Sequence, residues 1–167
     1  NDISCIVATG HGTHVAGIVG GNNGSGEYGV GRDARFISIQ VFSQVGTSVG
    51  AYDSDIILGL ERVYALRNSY DIAAANLSLG GGTYEDTCDA LFPGYKAAID
   101  NLSNVGIATV IASGNGGSLT RISAPACISS AISVAATTDS DSIAIFSNVA
   151  DFLDLLAPGV TIRSSVP

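Results

Sequence analysis

Basic residues are scarce in this sequence. Its 167 residues include 7 Lys and Arg against 15 Asp and Glu, which gives a formal net charge of −8. Proteins attract the phosphate backbone of nucleic acids through clustered Lys and Arg side chains. The composition therefore predicts that nucleic acid is not a partner of this protein.

Long apolar runs are missing as well. No stretch approaches the roughly 18 uninterrupted apolar residues that a membrane-spanning helix needs, and the first residues lack the charged-then-apolar pattern of a signal peptide. The sequence thus predicts no membrane association and carries no direct targeting signal. It is nevertheless 46% hydrophobic, with 21 glycines against 4 prolines, which is typical of a globular domain with many tight turns.

Cysteine is limited to Cys5, Cys88 and Cys127, an odd count without CxxC spacing. This pattern argues against a structural zinc site. Two interpretations stay open from the sequence alone. One is a single disulfide plus a thiol whose partner lies outside the sequence, and the other is three buried, unpaired thiols.

Apolar periodicity predicts strands that alternate with helices. The spacing predicts helices over 12–20, 53–69 and about 86–104, the last kinked or restarted at Pro93, and strands over 36–42, 72–79, 107–112, 131–137 and 152–156. Such alternation indicates βαβ units, and hence a three-layer α/β fold with a parallel sheet flanked by helices on both faces. Reactive groups in these folds gather at the carboxyl ends of strands, here the loops at 78–81 and 113–115.

Both histidines lie in the run 10–17, Gly-His-Gly-Thr-His-Val-Ala-Gly. This run resembles the histidine motif of the subtilisin-like serine proteases, peptidase family S8. The resemblance implies that His11 is the general base and that His14 is structural. A helix beginning at His11 would help to keep its imidazole neutral through the helix dipole. An alternative, a metal pair one helical turn apart, lacks the carboxylate of an HExxH motif and a nearby third ligand.

Two later segments extend the resemblance. Residues 75–82 look like the substrate-binding strand of the family, and residues 111–115 look like its oxyanion-hole segment. The resemblance implies that the Asn115 amide donates to the oxyanion, although an Asn at a strand end is otherwise a common turn former. It also implies an S1 pocket with two walls and a base, open to large apolar P1 residues. The walls are Ser78, Leu79 and Gly80 on one side and Ala112, Ser113 and Gly114 on the other, with Ser123 at the base.

The resemblance continues through 146–148 and 153–162, so residues 1–167 are interpreted as a partial, incomplete subtilisin-like peptidase domain. The aspartate and serine motifs of the family are expected before Asn1 and after Pro167, so this stretch alone is expected to be inactive. The resemblance also implies a disulfide between Cys88 and Cys127.

The leading functional hypothesis is a secreted, extracellular serine endopeptidase that hydrolyses polypeptides with a Ser-His-Asp triad, after maturation from a propeptide. Its chemistry requires no cofactor or metal. Structural calcium is an option at Asp139 and Asp141 or at the cluster Glu85, Asp86 and Asp89, against the alternative of solvated acidic loops. The competing function is a catalytically inactive subtilisin-like domain that binds peptides or a partner.

Overall fold

The computed structural model describes residues 3–46 and 48–166 of the chain. The elements in this part of the sequence are helices and short strands. The helices are α1 (Ile3–Gly20), α2 (Asp53–Leu66) and α3 (Pro93–Ser103); the strands are β1 (Ser43–Val45), β2 (Ser48–Gly50), β3 (Ala74–Leu77), β4 (Gly81–Tyr84), β5 (Ala108–Ala112), β6 (Ile122–Ala124), β7 (Ile132–Thr137) and β8 (Leu155–Pro158).

The chain divides into two compact units. The first comprises Asn1–Gly59 together with Thr161–Pro167, and the second comprises Leu60–Val160. None of the described helices is both long and apolar enough to cross a membrane.

A four-stranded sheet organises the second unit. Its strand order is β3-β5-β7-β8 and every neighbouring pair is parallel, which confirms the predicted α/β fold class. Alternate residues of β5 and β7 are buried, as expected for strands with one face against a core. The last strand forms three residues later than predicted and ends at Pro158, a residue that edge strands tolerate because one of their sides needs no hydrogen-bond donors.

Helix α3 covers part of this core. It begins at Pro93 rather than near residue 86, because proline fits the first turn of a helix but not its interior. Its buried residues recur at helical spacing and form one apolar face: Tyr95, Ala98, Ile99 and Leu102. The chain then turns at Gly106, whose φ is 79°, and enters β5.

A second, smaller sheet of the same unit was not predicted. Strands β4 and β6 pair antiparallel, with Gly81 opposite Ala124. A disulfide joins Cys88 to Cys127, which lie shortly after these two strands, and the Cys88 N–H donates to the Cys127 carbonyl at 2.9 Å. The side chain of Cys5 lies outside the described part of the chain.

In the first unit, helix α1 corrects the predicted helix start. The helix runs from Ile3 through Gly10 and Gly12 to Gly20, since each interior glycine costs only about 1 kcal/mol relative to alanine. His11 therefore lies in the middle of a helix. The prediction that a helix begins at His11 is wrong.

The strand predicted at 36–42 is also wrong. None of the described segments pairs with these residues, and a β-branched stretch without a neighbouring strand cannot complete its backbone hydrogen bonds in a sheet. The chain instead forms the β1–β2 hairpin just beyond it. The helix predicted from Asp53 is present as α2, with Ile56 and Leu60 buried, and it ends three residues earlier than predicted.

Candidate active site

The two loops predicted to carry the chemistry leave the sheet at the same edge. Strands β3 and β5 are parallel neighbours, with Leu77 opposite Ile111. Ser78, just after β3, and Ala112, the last residue of β5, consequently lie side by side. This is the edge at which loops of parallel sheets converge on a ligand.

Ser123 on β6 lies against both predicted walls of the S1 pocket. Its N–H donates to the Ser113 carbonyl at 2.8 Å. On the other side, a Cβ added at Gly80 would lie 3.2 Å from the Ser123 Cβ. A Cβ at Gly114 would collide with the Ser123 hydroxyl. The structure therefore brings Gly80 from one predicted wall, and Ser113 and Gly114 from the other, against Ser123, and the two glycines allow the close approach.

The segment 113–118, here called the oxyanion loop, is held in place by hydrogen bonds to the side chain of Asn148. The Asn148 Oδ1 accepts the N–H of Gly116 at 2.9 Å and that of Ser118 at 3.1 Å. Its Nδ2 donates to the Ser113 carbonyl at 3.3 Å. Because all of these partners belong to one loop, a single side chain defines the loop's shape.

Asn115 sits at the exposed tip of the oxyanion loop. None of the described residues hydrogen-bonds its side chain. A carboxamide held at the end of a strand and free to donate has the chemistry needed to stabilise a developing negative charge on oxygen.

His11 lies in the other unit, exposed on α1. His14, one turn further along the helix, is only partly exposed, and its carbonyl accepts a hydrogen bond from the Ser164 hydroxyl at 2.6 Å. The two histidines thus have different surroundings. In the part of the chain that the structure describes, no group of three or more His, Cys, Asp or Glu is placed to hold a metal ion.

Two of the five acidic residues considered for calcium already have protein partners. Glu85 forms an ion pair with Arg121. Asp89 accepts hydrogen bonds from the N–H and the hydroxyl of Ser129, at 2.9 and 2.6 Å. Calcium binding at these residues stays a prediction.

Asn148 and its neighbour Ser147 are the site-supporting residues to which the sequence assigned no role. Ser147 lies just before Asn148, and its hydroxyl accepts the Ala136 N–H at 2.8 Å. Both residues are almost fully buried. Their partners are distant in sequence, so no local spacing reveals them. The available signal was their place in the segment 146–148, which continues the family resemblance.

Comparison with known proteins gives a consistent result. Residues 7–166 match the model of the peptidase S8 family, described as the subtilase family. An extracellular serine proteinase of Thermus sp. (strain Rt41A) is 37% identical over 158 residues, covering 93% of this chain and 34% of the relative. Subtilisin E of Bacillus subtilis (strain 168) is 37% identical over 161 residues, covering 94% of this chain and 39% of the relative.

Solved structures show the same likeness. A cold-adapted subtilisin-like serine proteinase superposes with a TM-score of 0.72 at 34% identity, covering 94% of this chain and 51% of that one. The prenylagaramide maturation protease PagA superposes with a TM-score of 0.78 at 27% identity, covering 94% and 55%. The chain thus spans between a third and two fifths of the two curated relatives, and about half of the two solved structures.

Proposed function

This chain belongs to the subtilase family, and from that premise we propose that its protein is a serine endopeptidase in which His11 is the general base and Asn115 the oxyanion donor. The observation that supports the proposal most directly is the exposed Asn115 amide beside the group formed by Gly80, Ser113, Gly114 and Ser123. This arrangement places an exposed amide donor close in sequence to small residues of the proposed S1 pocket.

The proposed reaction is acyl transfer. His11 takes the proton of the nucleophilic serine as the serine oxygen bonds to the substrate carbonyl carbon, and the carbonyl oxygen becomes negative. Asn115 donates to that oxygen. His11 then gives its proton to the leaving amine as the C–N bond breaks, and a water molecule repeats the sequence to release the acid. We assign neither the nucleophilic serine nor the aspartate to residues 1–167.

Substitution of the two proposed groups tests this assignment in the full-length protein that carries the chain. We expect Asn115→Ala to lower kcat on a chromogenic peptide about 10²- to 10³-fold with a much smaller change in KM, because the donor acts mainly on the transition state. His11→Ala is expected to lower kcat at least as much. Asn101→Ala, an exposed position on α3, is the matched control and should leave both constants unchanged.

Two other results would overturn the proposal. Unchanged kcat in Asn115→Ala would remove the oxyanion role of this residue. Peptide binding by the unmodified protein without any hydrolysis would instead support the inactive peptide-binding domain.

We propose further that the substrates are polypeptides with large apolar P1 residues, bound with Ser78, Leu79 and Gly80 as a neighbouring strand. The residues predicted around the pocket are uncharged and, apart from Leu79, small, and Ser113 and Ser123 are buried, so no side chain there would pair with a basic P1 residue. In a series of peptides differing only at P1, we expect kcat/KM for Phe to exceed that for Arg by at least about tenfold. A preference for Arg would contradict this pocket.

The proposed location is extracellular, with maturation from a propeptide as the family resemblance implies. Two observations favour secretion: the Thermus relative is named an extracellular serine proteinase, and a disulfide between Cys88 and Cys127 suits an oxidising compartment. Peptide mapping of the protein from culture medium, without reduction, would detect the Cys88–Cys127 pair. Recovery of the protein only from the cytoplasm would contradict the location.

A further inference from the structure

Asn148 is a polar side chain in a core position. Only 1% of its surface is exposed, yet it reaches residues 25 to 35 positions earlier in the sequence. Its amide oxygen accepts two backbone N–H groups, those of Gly116 and Ser118. Its amide nitrogen donates to the Ser113 carbonyl and to the Ser123 hydroxyl, at 3.3 and 3.4 Å. The carboxamide therefore uses both of its acceptor sites and both of its donors inside the protein.

The backbone of Asn148 adds two more bonds to the same region. Its N–H donates to the Gly114 carbonyl at 2.9 Å, and its carbonyl accepts the Ser113 hydroxyl at 2.7 Å. Asn115 is thus bracketed, because the carbonyl of the preceding residue and the N–H of the following residue, Gly116, both bond to Asn148. The peptide units on either side of the proposed oxyanion donor are fixed by one residue.

We infer that Asn148 is a positioning residue that aims the Asn115 amide at the oxyanion. This inference rests on the proposed function, since it assigns a task to Asn148 within the same site. A side chain that touches no substrate can control a reaction in this way, because a displacement of about 1 Å in a reacting geometry can lower the rate on the order of 10²-fold.

Residue type matters at position 148 for a physical reason. Aspartate has the same shape but accepts at both oxygens, so it cannot donate to the Ser113 carbonyl, and it brings a charge into a buried position. Alanine leaves the N–H groups of Gly116 and Ser118 without their acceptor. Either substitution removes a bond that holds the oxyanion loop, while the Asn115 side chain itself is not mutated.

The kinetic test uses the full-length protein and a double-mutant cycle. We expect Asn148→Asp to lower kcat about 10- to 100-fold with KM changed less than about threefold. Asn101→Asp makes the same chemical change at an exposed position of α3 and should leave kcat and KM unchanged. In an Asn115→Ala background the Asn148→Asp change should lower kcat by no more than about threefold, because the group that Asn148 aims is gone.

A purely structural role would give a different result, since general loss of folded protein lowers kcat by the same factor in both backgrounds. Equal factors in the two backgrounds, or an unchanged kcat in Asn148→Asp, would overturn the inference. Asn148→Ala provides a second, uncharged variant with the same expected coupling to Asn115.

Amide hydrogen exchange tests the hydrogen bonds between Asn148 and the oxyanion loop. It needs neither a variant nor an activity measurement. In the unmodified protein, the Gly116 and Ser118 amides should exchange at least about tenfold more slowly than in an unstructured peptide, because Asn148 accepts from both. Exchange at the unstructured rate would overturn the inference whatever the kinetics show. Lack of peptidase activity in the unmodified protein would refute the proposed function, and the exchange result would still decide whether Asn148 holds the loop.

Discussion

Asn115 and Asn148 are two copies of one residue type in opposite surroundings. The amide of Asn115 is exposed and has no partner among the described residues, whereas that of Asn148 is buried and fully bonded. An exposed donor can exchange water for an incoming oxygen, while a saturated one cannot. The same carboxamide therefore suits binding at one position and scaffolding at the other.

Gly114 is the residue whose backbone conformation most limits this site. Its φ is 111°, and an added Cβ would collide with the side chains of Ser123 and Asn148. We expect Gly114→Ala to lower the free energy of unfolding by about 3 kcal/mol, through backbone strain and overpacking together. Urea unfolding followed by circular dichroism measures this change.

Gly106→Ala is the matched control for that substitution. Gly106 also has a positive φ, 79°, but an added Cβ there would meet no atom within 4 Å. Its expected cost is about 1 kcal/mol, from the backbone conformation alone. Equal losses for the two variants would show that the contacts with Ser123 and Asn148 contribute nothing.

Sequence motifs predict the role of a single residue only where that residue lies within a recognisable run of neighbouring residues. His11 and Asn115 stand in runs that can be identified from adjacent residues. Asn148 and Asp154 stand in runs that continue the resemblance, 146–148 and 153–162, but those runs indicate no role for them, because their partners are distant in sequence. The Asp154 carboxylate, for example, accepts both the N–H and the hydroxyl of Ser133, 21 residues earlier. Such bonds follow from the tertiary fold, so periodicity and spacing contain no trace of them.

Among the elements, those with strong apolar patterns were predictable and the short ones were not. Strands β3, β5 and β7 lie within the predicted apolar runs, because buried parallel strands consist of β-branched and small apolar residues. Strand β4 begins with two glycines and has no such pattern. It is ordered by pairing with β6, and a pairing across about 40 residues has no local signal.

Helix α3 carries a pH-dependent contribution to stability. The Lys96 ammonium, 2.5 Å from Asp100, lowers the pKa of that carboxyl group, with a further contribution from Ser130. A lowered folded-state pKa adds stability above the unfolded pKa, about 3.9, which is lost as the pH falls through the folded value. We expect Asp100→Asn to cost about 0.5 kcal/mol at pH 7, since the pair is partly exposed, and progressively less below about pH 4.

Unfolding free energies at a series of pH values, from urea titrations, measure this dependence. Lys96→Met provides the control, because Asp100→Asn in that background should have little effect at any pH. A cost that stays constant from pH 7 to below pH 4 would show that the ion pair is not its source.

At the scale of the whole molecule, the disulfide is the strongest constraint on the unfolded chain. It links Cys88 and Cys127 across 39 residues, a span that contains α3 and β5. Loop closure of this length predicts that Cys88→Ser with Cys127→Ser lowers the free energy of unfolding by about 4 kcal/mol. Denaturant unfolding under non-reducing conditions measures the loss.

Reductant supplies the matching control for that variant. The unmodified protein in excess dithiothreitol should unfold at the same denaturant concentration as the double serine variant, and the variant itself should not respond to reductant. A variant as stable as the oxidised protein would contradict the loop-entropy argument.

The hydrogen bond from the Ser164 hydroxyl to the His14 carbonyl also affects the order in which the two units can fold during synthesis. The two residues are 150 positions apart, and a Cβ at Gly17 would likewise collide with Ser164 and Ser165. At a synthesis rate of 5–20 residues per second, Ser164 is added roughly 8–30 s after His14, so these contacts form only after that interval. By then residues 60–160 have already been made. The unit that carries Asn115 can thus fold on the ribosome before the unit that carries His11 is complete.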